Sequence, residues 1–530
     1  METPLADTHP KSVQANQSQA REIAFQSILG EGPSIHIAQQ PECFHDLGLD
    51  QVVQAVVAPW KEYDLAGFFH ANLMSEDAIV FRQEVMRDLE QPDIMAAVRG
   101  FTERLRVMRQ QLPLATKAYD QHERNRWHLN AVQRYGEAIV ELDRALAPLA
   151  LNSRGLQRWR EFVRAYVESA PFKRLMEQAA QLVRDLASIT YAVTIYGPNV
   201  SVRNCADEPD YTVEIERTFA KFRRGAVKDY RIQLPVKEGL NHIEAQVLDC
   251  VAQLNPQVFG ALSAFRAEHD VFMEPLVERF DREIHFYIGW LDFISPFRKA
   301  GMAFCHPSVS NATKDIQVYG AFDLALGLRL LNQEKAIVCN GFELHGAERM
   351  IVVTGPNQGG KTTFARMFGQ LHWLASLGCP VPATGPARFF LFDRLFSHFE
   401  REEDIRNLRG KLHDDLVRMH RILEQATQNS VVVINEIFSS TTLQDALFLG
   451  REMLERLSRL DAIAVCVTFL DELTRFSPKV VSMVAALDPT DPAARSFKLE
   501  RRAADGLAHA LAIAEKYHVT GTWLKERIAP

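Results

Sequence analysis

The sequence predicts a multidomain chain of mixed class, with an α-helical first half followed by a C-terminal α/β domain. Three observations predict it. The 530 residues exceed what one hydrophobic core organises, so roughly two to four domains are expected. From Phe44 to about Leu186 apolar residues recur at helical spacing, as in Leu89, Ile94, Val98, Phe101, Leu105 and Met108, with few Gly or Pro between them. From about residue 300 short apolar runs alternate with helical patterns, as strands interleaved with helices do.

Taken in order, residues 1–40 are polar and broken by Thr3-Pro4, His9-Pro10 and Gly30 to Pro33, and they read as a disordered tail. Residues 41–187 form the first helical region. The texture changes near Ser188. Thr190 to Tyr196 is β-rich and ends in the turn signal Gly197-Pro198-Asn199, and Val200-Ser201-Val202 and Tyr211 to Ile215 continue in that style. A small strand-containing insertion is therefore expected at 188–235. Helical periodicity returns over 236–298, with Pro296 near its end, and the α/β region occupies 299–530.

Composition narrows the class. Hydrophobic residues make up 47% and charged residues 24%, an ordinary globular balance. No apolar run approaches the roughly 18 residues of a membrane span, so no membrane partner is expected. The opening residues hold no apolar core of a secretory leader. Seven scattered cysteines without a C-x-x-C pair argue against a structural zinc or a disulfide framework and fit a reducing cytoplasm. His285, His413 and His420 have no zinc-ligand spacing. The net charge of −7 excludes a broad basic footprint, so any nucleic-acid contact must come from a local patch.

Chemistry enters at Met350-Ile351-Val352-Val353-Thr354, a short buried strand by its apolar run, followed by Gly355-Pro356-Asn357-Gln358-Gly359-Gly360-Lys361-Thr362-Thr363. This satisfies the phosphate-loop pattern G-x-x-x-x-G-K-[ST]. Glycines let successive backbone N–H groups turn toward phosphate oxygens, and a helix starting near Lys361 directs its positive dipole end to the same place. Lys361 supplies a point charge for the terminal phosphates of ATP, and the Thr362 hydroxyl is suited to Mg²⁺. A second apolar run, Ser430 to Ile434, ends in Asn435-Glu436. There Asn435 is a candidate metal neighbour and Glu436 a candidate general base for the attacking water. The bland alternative is a core strand with a polar cap.

Five stretches in order resemble the MutS family of DNA mismatch-repair and recombination proteins. They are the phosphate loop with Thr354 before it, Leu377-Gly378-Cys379-Pro380-Val381-Pro382-Ala383, Asp393-Arg394-Leu395-Phe396, Asn435 to Asp445, and Val467-Thr468-Phe469-Leu470-Asp471-Glu472-Leu473. The resemblance implies a C-terminal P-loop (ABC-type) ATPase domain behind a helical lever, with the strand-containing insertion as a short clamp. It also implies a homodimer in which each nucleotide site is completed by the partner, with clamps and levers closing around DNA. By alignment, Val338 and Asn340 in Ile337-Val338-Cys339-Asn340 fall where the family packs on adenine, and Asp445 falls in its nucleotide-site motif.

Departures qualify what the resemblance implies. No mismatch-reading wedge motif is present, so branched DNA or recombination and repair intermediates are expected rather than mismatches. Asn435 stands for the family's Asp, Phe469 for a phosphate-proximal His, and Gly410 for the signature serine, with Lys411 next to it and Asp415 at the family's Glu. These changes imply slow turnover. Lys221, Arg223, Arg224 and Lys228, with Arg231 and nearby Phe219, Phe222 and Tyr230, follow the insertion's strands; they read either as phosphate contacts or as a solvated charged edge. Two readings follow: an ATP-dependent DNA clamp, or a nucleotide-gated scaffold with little ATPase activity that engages a protein partner.

Overall fold

The computed structural model describes residues 25–32, 34–118, 120–205, 214–215, 217–218, 240–400, 410–487, 495–504 and 527. These divide into two compact units. One holds Gln91–Ala150 and Arg158–Asp281; the other holds Phe25–Glu90, Leu151–Gln157 and the described part of Arg282–Pro530. The expected mixed, multidomain α and β architecture is observed.

In chain order the elements are α1 (Cys43–Leu47), α2 (Leu49–Val57), α3 (Ala66–Phe69), α4 (Glu76–Leu89), α5 (Pro92–Lys117), α6 (Gln121–Leu146), α7 (Arg154–Glu168) and α8 (Ala170–Ala187). A hairpin of β1 (Tyr191–Tyr196) and β2 (Asn199–Asn204) precedes α9 (His242–Leu254), α10 (Pro256–Glu268) and α11 (Pro275–Lys299). Then come β3 (Ser308–Ser310), β4 (Ile316–Ala321), α12 (Leu324–Asn332), β5 (Asn340–Leu344), β6 (Met350–Thr354), α13 (Lys361–Ser376), β7 (Arg388–Phe390) and β8 (Leu395–Phe399). The last are α14 (Lys411–Gln425), β9 (Val431–Asn435), α15 (Leu443–Leu460), β10 (Ile463–Val467), β11 (Val480–Leu487) and β12 (Arg495–Arg501).

The first unit is helical because its apolar residues fall on single helix faces. Leu129 and Val132 of α6, Leu175, Ala179 and Leu182 of α8, and Leu262 and Phe265 of α10 close one core. Trp159 stacks on Phe280 with ring centroids 3.8 Å apart. The hairpin pairs Val193 with Val202 and Ile195 with Val200, so its apolar side chains share one face.

In the second unit the six-stranded sheet runs β12-β11-β6-β10-β9-β8, and a four-stranded sheet runs β3-β7-β4-β5. Every neighbour pair from β8 through β11 is parallel; only β12 is antiparallel. β6, β9 and β10 are buried at all their positions, which is why they read as continuous apolar runs. Helix α13 is buried along most of its length and contacts β9 and β10 of one sheet and β3 and β7 of the other. Met350, Val352, Val432 and Ile434 pack with Met419, Leu454 and Leu457 from α14 and α15 on the large sheet's other side.

Two expectations are corrected. The polar tail does not extend to residue 40. Phe25, Ile28 and Leu29 are buried. Ser27 Oγ and the Ile28 amide donate to Glu283 at 2.7 and 3.0 Å, and Tyr287 donates to the Ile28 carbonyl at 2.7 Å. Three apolar side chains in an otherwise polar stretch suffice once a core and a buried carboxylate await them. The strand expected over Tyr211 to Ile215 is also not seen where residues are described: Glu214 and Ile215 are helical, and Tyr211–Val213 lie outside the described residues.

Candidate active site

β6 ends at Thr354 and α13 begins at Lys361, so the glycine-rich loop leaves the carboxyl edge of the sheet and enters a helix N-terminus. Gly355 and Gly360 adopt φ of 117° and 90°, where side chains with a Cβ are disfavoured. Space imposes the same choice: a Cβ on Gly355 would lie 3.0 Å from Ala485 of β11, and one on Gly359 would lie 2.9 Å from both Ala485 Cβ and the Pro356 carbonyl. The loop is thus moulded on the β11–β12 hairpin. Lys361 is 4% exposed, and its Nζ donates to the carbonyls of Gly355 (2.8 Å) and Pro356 (3.2 Å) and to Asn357 Oδ1 (3.4 Å). The first N–H groups of α13 have no intrahelical acceptor, so cation and helix dipole favour an anion at the same point.

β9 lies two strands from β6, with β10 between them, and delivers Asn435 and Glu436 to the same edge. Asn435 is buried, and its Oδ1 has no hydrogen-bond partner among the described residues; the same is true of Thr354 Oγ1 at the end of β6. An unpartnered buried oxygen costs roughly 1–3 kcal/mol unless something meets it. Glu436 adopts φ of 53° and its amide donates to Val467 of β10 at 3.0 Å. Left-handed backbone in a residue with a Cβ costs about 1–2 kcal/mol, and such strain collects at functional sites.

A cavity of about 530 Å³ opens at this edge. Its polar lining comes from Gln358, Gly360, Lys361, Thr362, Thr363 and Glu436 together with Asp323, Lys335 and Asn340, and its apolar lining includes Phe322, Leu326, Leu330, Ile337, Val338 and Phe497. Of the residues singled out in the sequence, the fold therefore brings Val338, Asn340, Gln358, Gly360, Lys361, Thr362, Thr363 and Glu436 to one cavity. Gly355, Pro356, Asn357 and Gly359 shape the loop beside it.

Asn340 lines the cavity, but its amide is engaged with β12: Nδ2 donates to the Phe497 carbonyl at 3.0 Å, and the Leu499 amide donates to Oδ1 at 2.8 Å. Asp445 lies outside the lining and closes the N-terminus of α15, its amide donating to Thr442 Oγ1 at 3.2 Å and its carboxylate accepting from that hydroxyl at 2.8 Å. Phe497 was not singled out in the sequence. It sits in a strand remote from every motif, and only its φ of 56° and its place against Gly360 reveal it.

The substituted positions are placed as follows. Gly410 caps α14 with open space where a Cβ would stand. Lys411 pairs with Glu400, which also accepts from Ser439 Oγ at 3.0 Å; the hydrogen bond from Lys411 is the main cause holding the Glu400 carboxyl below its ordinary range. Asp415 is buried 3.2 Å from His398 Nε2, and Phe469 is 50% exposed. Lys221, Arg223, Arg224 and Lys228 lie outside the described residues. Among the described residues no helix is long and apolar enough to cross a membrane.

The sequence profile of MutS domain V matches residues 351–517, which contain the loop, β9 and the edge just described. An endonuclease MutS2 of Gemmatimonas aurantiaca is 29% identical to this chain over 192 residues, covering 36% of this chain and 23% of that protein. The match thus spans less than a quarter of the relative's length. The C-terminal region of the chain holds a MutS-family ATPase domain, homologous to that of MutS2-type proteins.

Proposed function

We propose that the cavity binds Mg-ATP and hydrolyses it, and that the chain works as a homodimer coupling this cycle to closure on DNA, with branched or repair intermediates as the preferred form. One observation carries the reading: a phosphate loop with its buried lysine, and a strained carboxylate at a second strand end, open into one cavity that also carries an apolar wall. The loop amides and Lys361 hold the phosphates. Thr362 and Asn435 are the oxygen donors suited to Mg²⁺, and the unpartnered Asn435 Oδ1 fits that role. Mg²⁺ would supply charge neutralisation at the phosphates.

Glu436 orients a water and takes its proton as the oxygen attacks the γ-phosphorus. The bond to the bridging oxygen breaks, and ADP and inorganic phosphate result. The apolar wall suits a nucleobase. The experiment is steady-state ATP turnover by the purified chain with Mg²⁺ and with chelator, alongside titration of homoduplex and branched DNA over a salt series. Magnesium-dependent turnover together with DNA binding that responds to ATP supports the reading; absence of nucleotide binding removes it.

A second reading is a nucleotide-gated scaffold that engages a protein partner. It is favoured by the ion pair of Lys411 with Glu400, which engages the Lys411 charge within the chain. ATP binding without turnover, and without DNA affinity at low salt, selects it.

A further inference from the structure

A cleft of about 890 Å³ in the second unit lies between the start of α1, the entry to β8 and the C-terminal half of α14. Its lining does not include the phosphate loop or Glu436. Five charged side chains besides Glu42 face it: Asp46, Asp393, Arg394, Arg418 and Arg421. Both aspartates are already satisfied. Asp46 accepts from Ser397 Oγ at 2.7 Å and faces Arg418 Nη2 at 3.8 Å. Asp393 accepts from Ser430 Oγ at 2.8 Å and from Thr427 Oγ1. Arg418 donates to the Phe399 carbonyl at 3.0 Å.

Arg394 and Arg421 differ. Both are exposed, and neither guanidinium has a hydrogen-bond or ion-pair partner among the described residues. They come from two separate elements and line one cleft in which Asp46 faces Arg418 and the Asp393 carboxylate is engaged by the Ser430 and Thr427 hydroxyls. Two such forks suit an anion with several oxygens, because a guanidinium pairs bidentately with phosphoryl or carboxylate groups. The volume is that of a small-molecule site. The Asp393-Arg394 pair thus divides its work: the aspartate ties the β8 entry to Ser430, and the arginine is left over.

We propose that this cleft binds a compact phosphorylated anion, gripped between Arg394 and Arg421. The test is calorimetric titration of pyrophosphate into the full chain carrying Lys361→Ala, which removes the phosphate loop's lysine from competition. The same titration follows with Arg394→Ala and Arg421→Ala added, and thermal melting checks that each variant is folded. If Lys361→Ala does not fold, the unsubstituted chain saturated with a non-hydrolysable ATP analogue replaces it. Saturable binding at one site, weakened tenfold or more by loss of both arginines, is the expected result. No binding, or binding indifferent to the two arginines, overturns the proposal. Citrate bound as tightly as pyrophosphate overturns the phosphoryl assignment. A glutamate-rich peptide or a DNA duplex that binds through the same arginines while pyrophosphate does not overturns the choice of a small ligand.

Discussion

The two edges of the six-stranded sheet are built by opposite rules. At the amino-terminal edge, residues just before the strands close a paired cluster. Asp461, just ahead of β10, accepts from Lys479 (2.7 Å), Arg349 (3.0 Å) and Lys314 (3.0 Å), of which Arg349 and Lys479 immediately precede β6 and β11. At the carboxyl edge, Asn435 Oδ1 and Thr354 Oγ1 are unpartnered, Glu436 is left-handed, and Lys361 is buried against carbonyls. One edge spends its polar groups on holding strands together. The other leaves two buried oxygens unpartnered beside the loop, at the edge where open parallel sheets bind ligands. Stability and the proposed function are thus separated along a strand only five residues long in β6, β9 and β10.

The strongest way to break this contrast is Glu436→Gln. If the carboxylate takes a proton from water, turnover falls by about 10²–10⁴-fold while nucleotide affinity is kept, and single-turnover hydrolysis against equilibrium binding separates the two. Next, Lys361→Ala removes a charge-assisted contact worth roughly 1.5–3 kcal/mol, so ATP affinity drops by about tenfold to a hundredfold, measured by calorimetry.

At the other edge, Asp461→Asn keeps shape and removes the charge shared by three cations. A loss of about 2 kcal/mol in denaturant stability is expected with no change in nucleotide affinity, since solvent screening limits what this partly exposed cluster contributes. Partial burial pushes the Asp461 carboxyl up, but the hydrogen bonds from Lys479, Lys314 and Arg349 outweigh that and hold it well below its ordinary value. Its contribution is therefore present above the unfolded value of 3.8 and is lost as pH falls toward the lower folded value, so the acid limb of the stability curve flattens in Asp461→Asn. The smallest effect sharpens the contrast from the functional side. Glu436→Gly relieves left-handed strain and raises stability by about 1 kcal/mol while abolishing turnover, in denaturant melts and rate assays of one preparation. If that variant were destabilised, the strain at this edge would not be real.

Much of this edge was legible because its parts are local. Met350–Thr354 is a buried parallel strand and so reads as an uninterrupted apolar run, and the loop follows it without a gap. Val431–Asn435 is legible for the same reason. The partners of those segments were not legible. Ala485, which presses on Gly355 and Gly359, and Phe497, which enters the cavity, come from a hairpin more than a hundred residues downstream with no motif of its own. Asn340 was read by alignment as a base contact, and its amide grips β12 instead of standing free. The buried segment at Phe25 to Leu29 escaped notice because composition averages over a window, whereas burial is decided residue by residue against a core assembled from elsewhere.

By itself, the sequence determined the elements whose information lies within one stretch of chain: the helical periodicities, the apolar strands, and a glycine-rich turn between strand and helix with a lysine at its end. Tertiary structure alone decided which strand ends meet. The order β6-β10-β9 sets Glu436 beside the same cavity as Lys361, although 75 residues of chain separate them. The physical reason is that backbone preference and hydrophobic period act over a few residues. Strand order, the satisfaction of a buried polar atom and the φ of Glu436 are settled by packing among segments that meet only when the chain has folded.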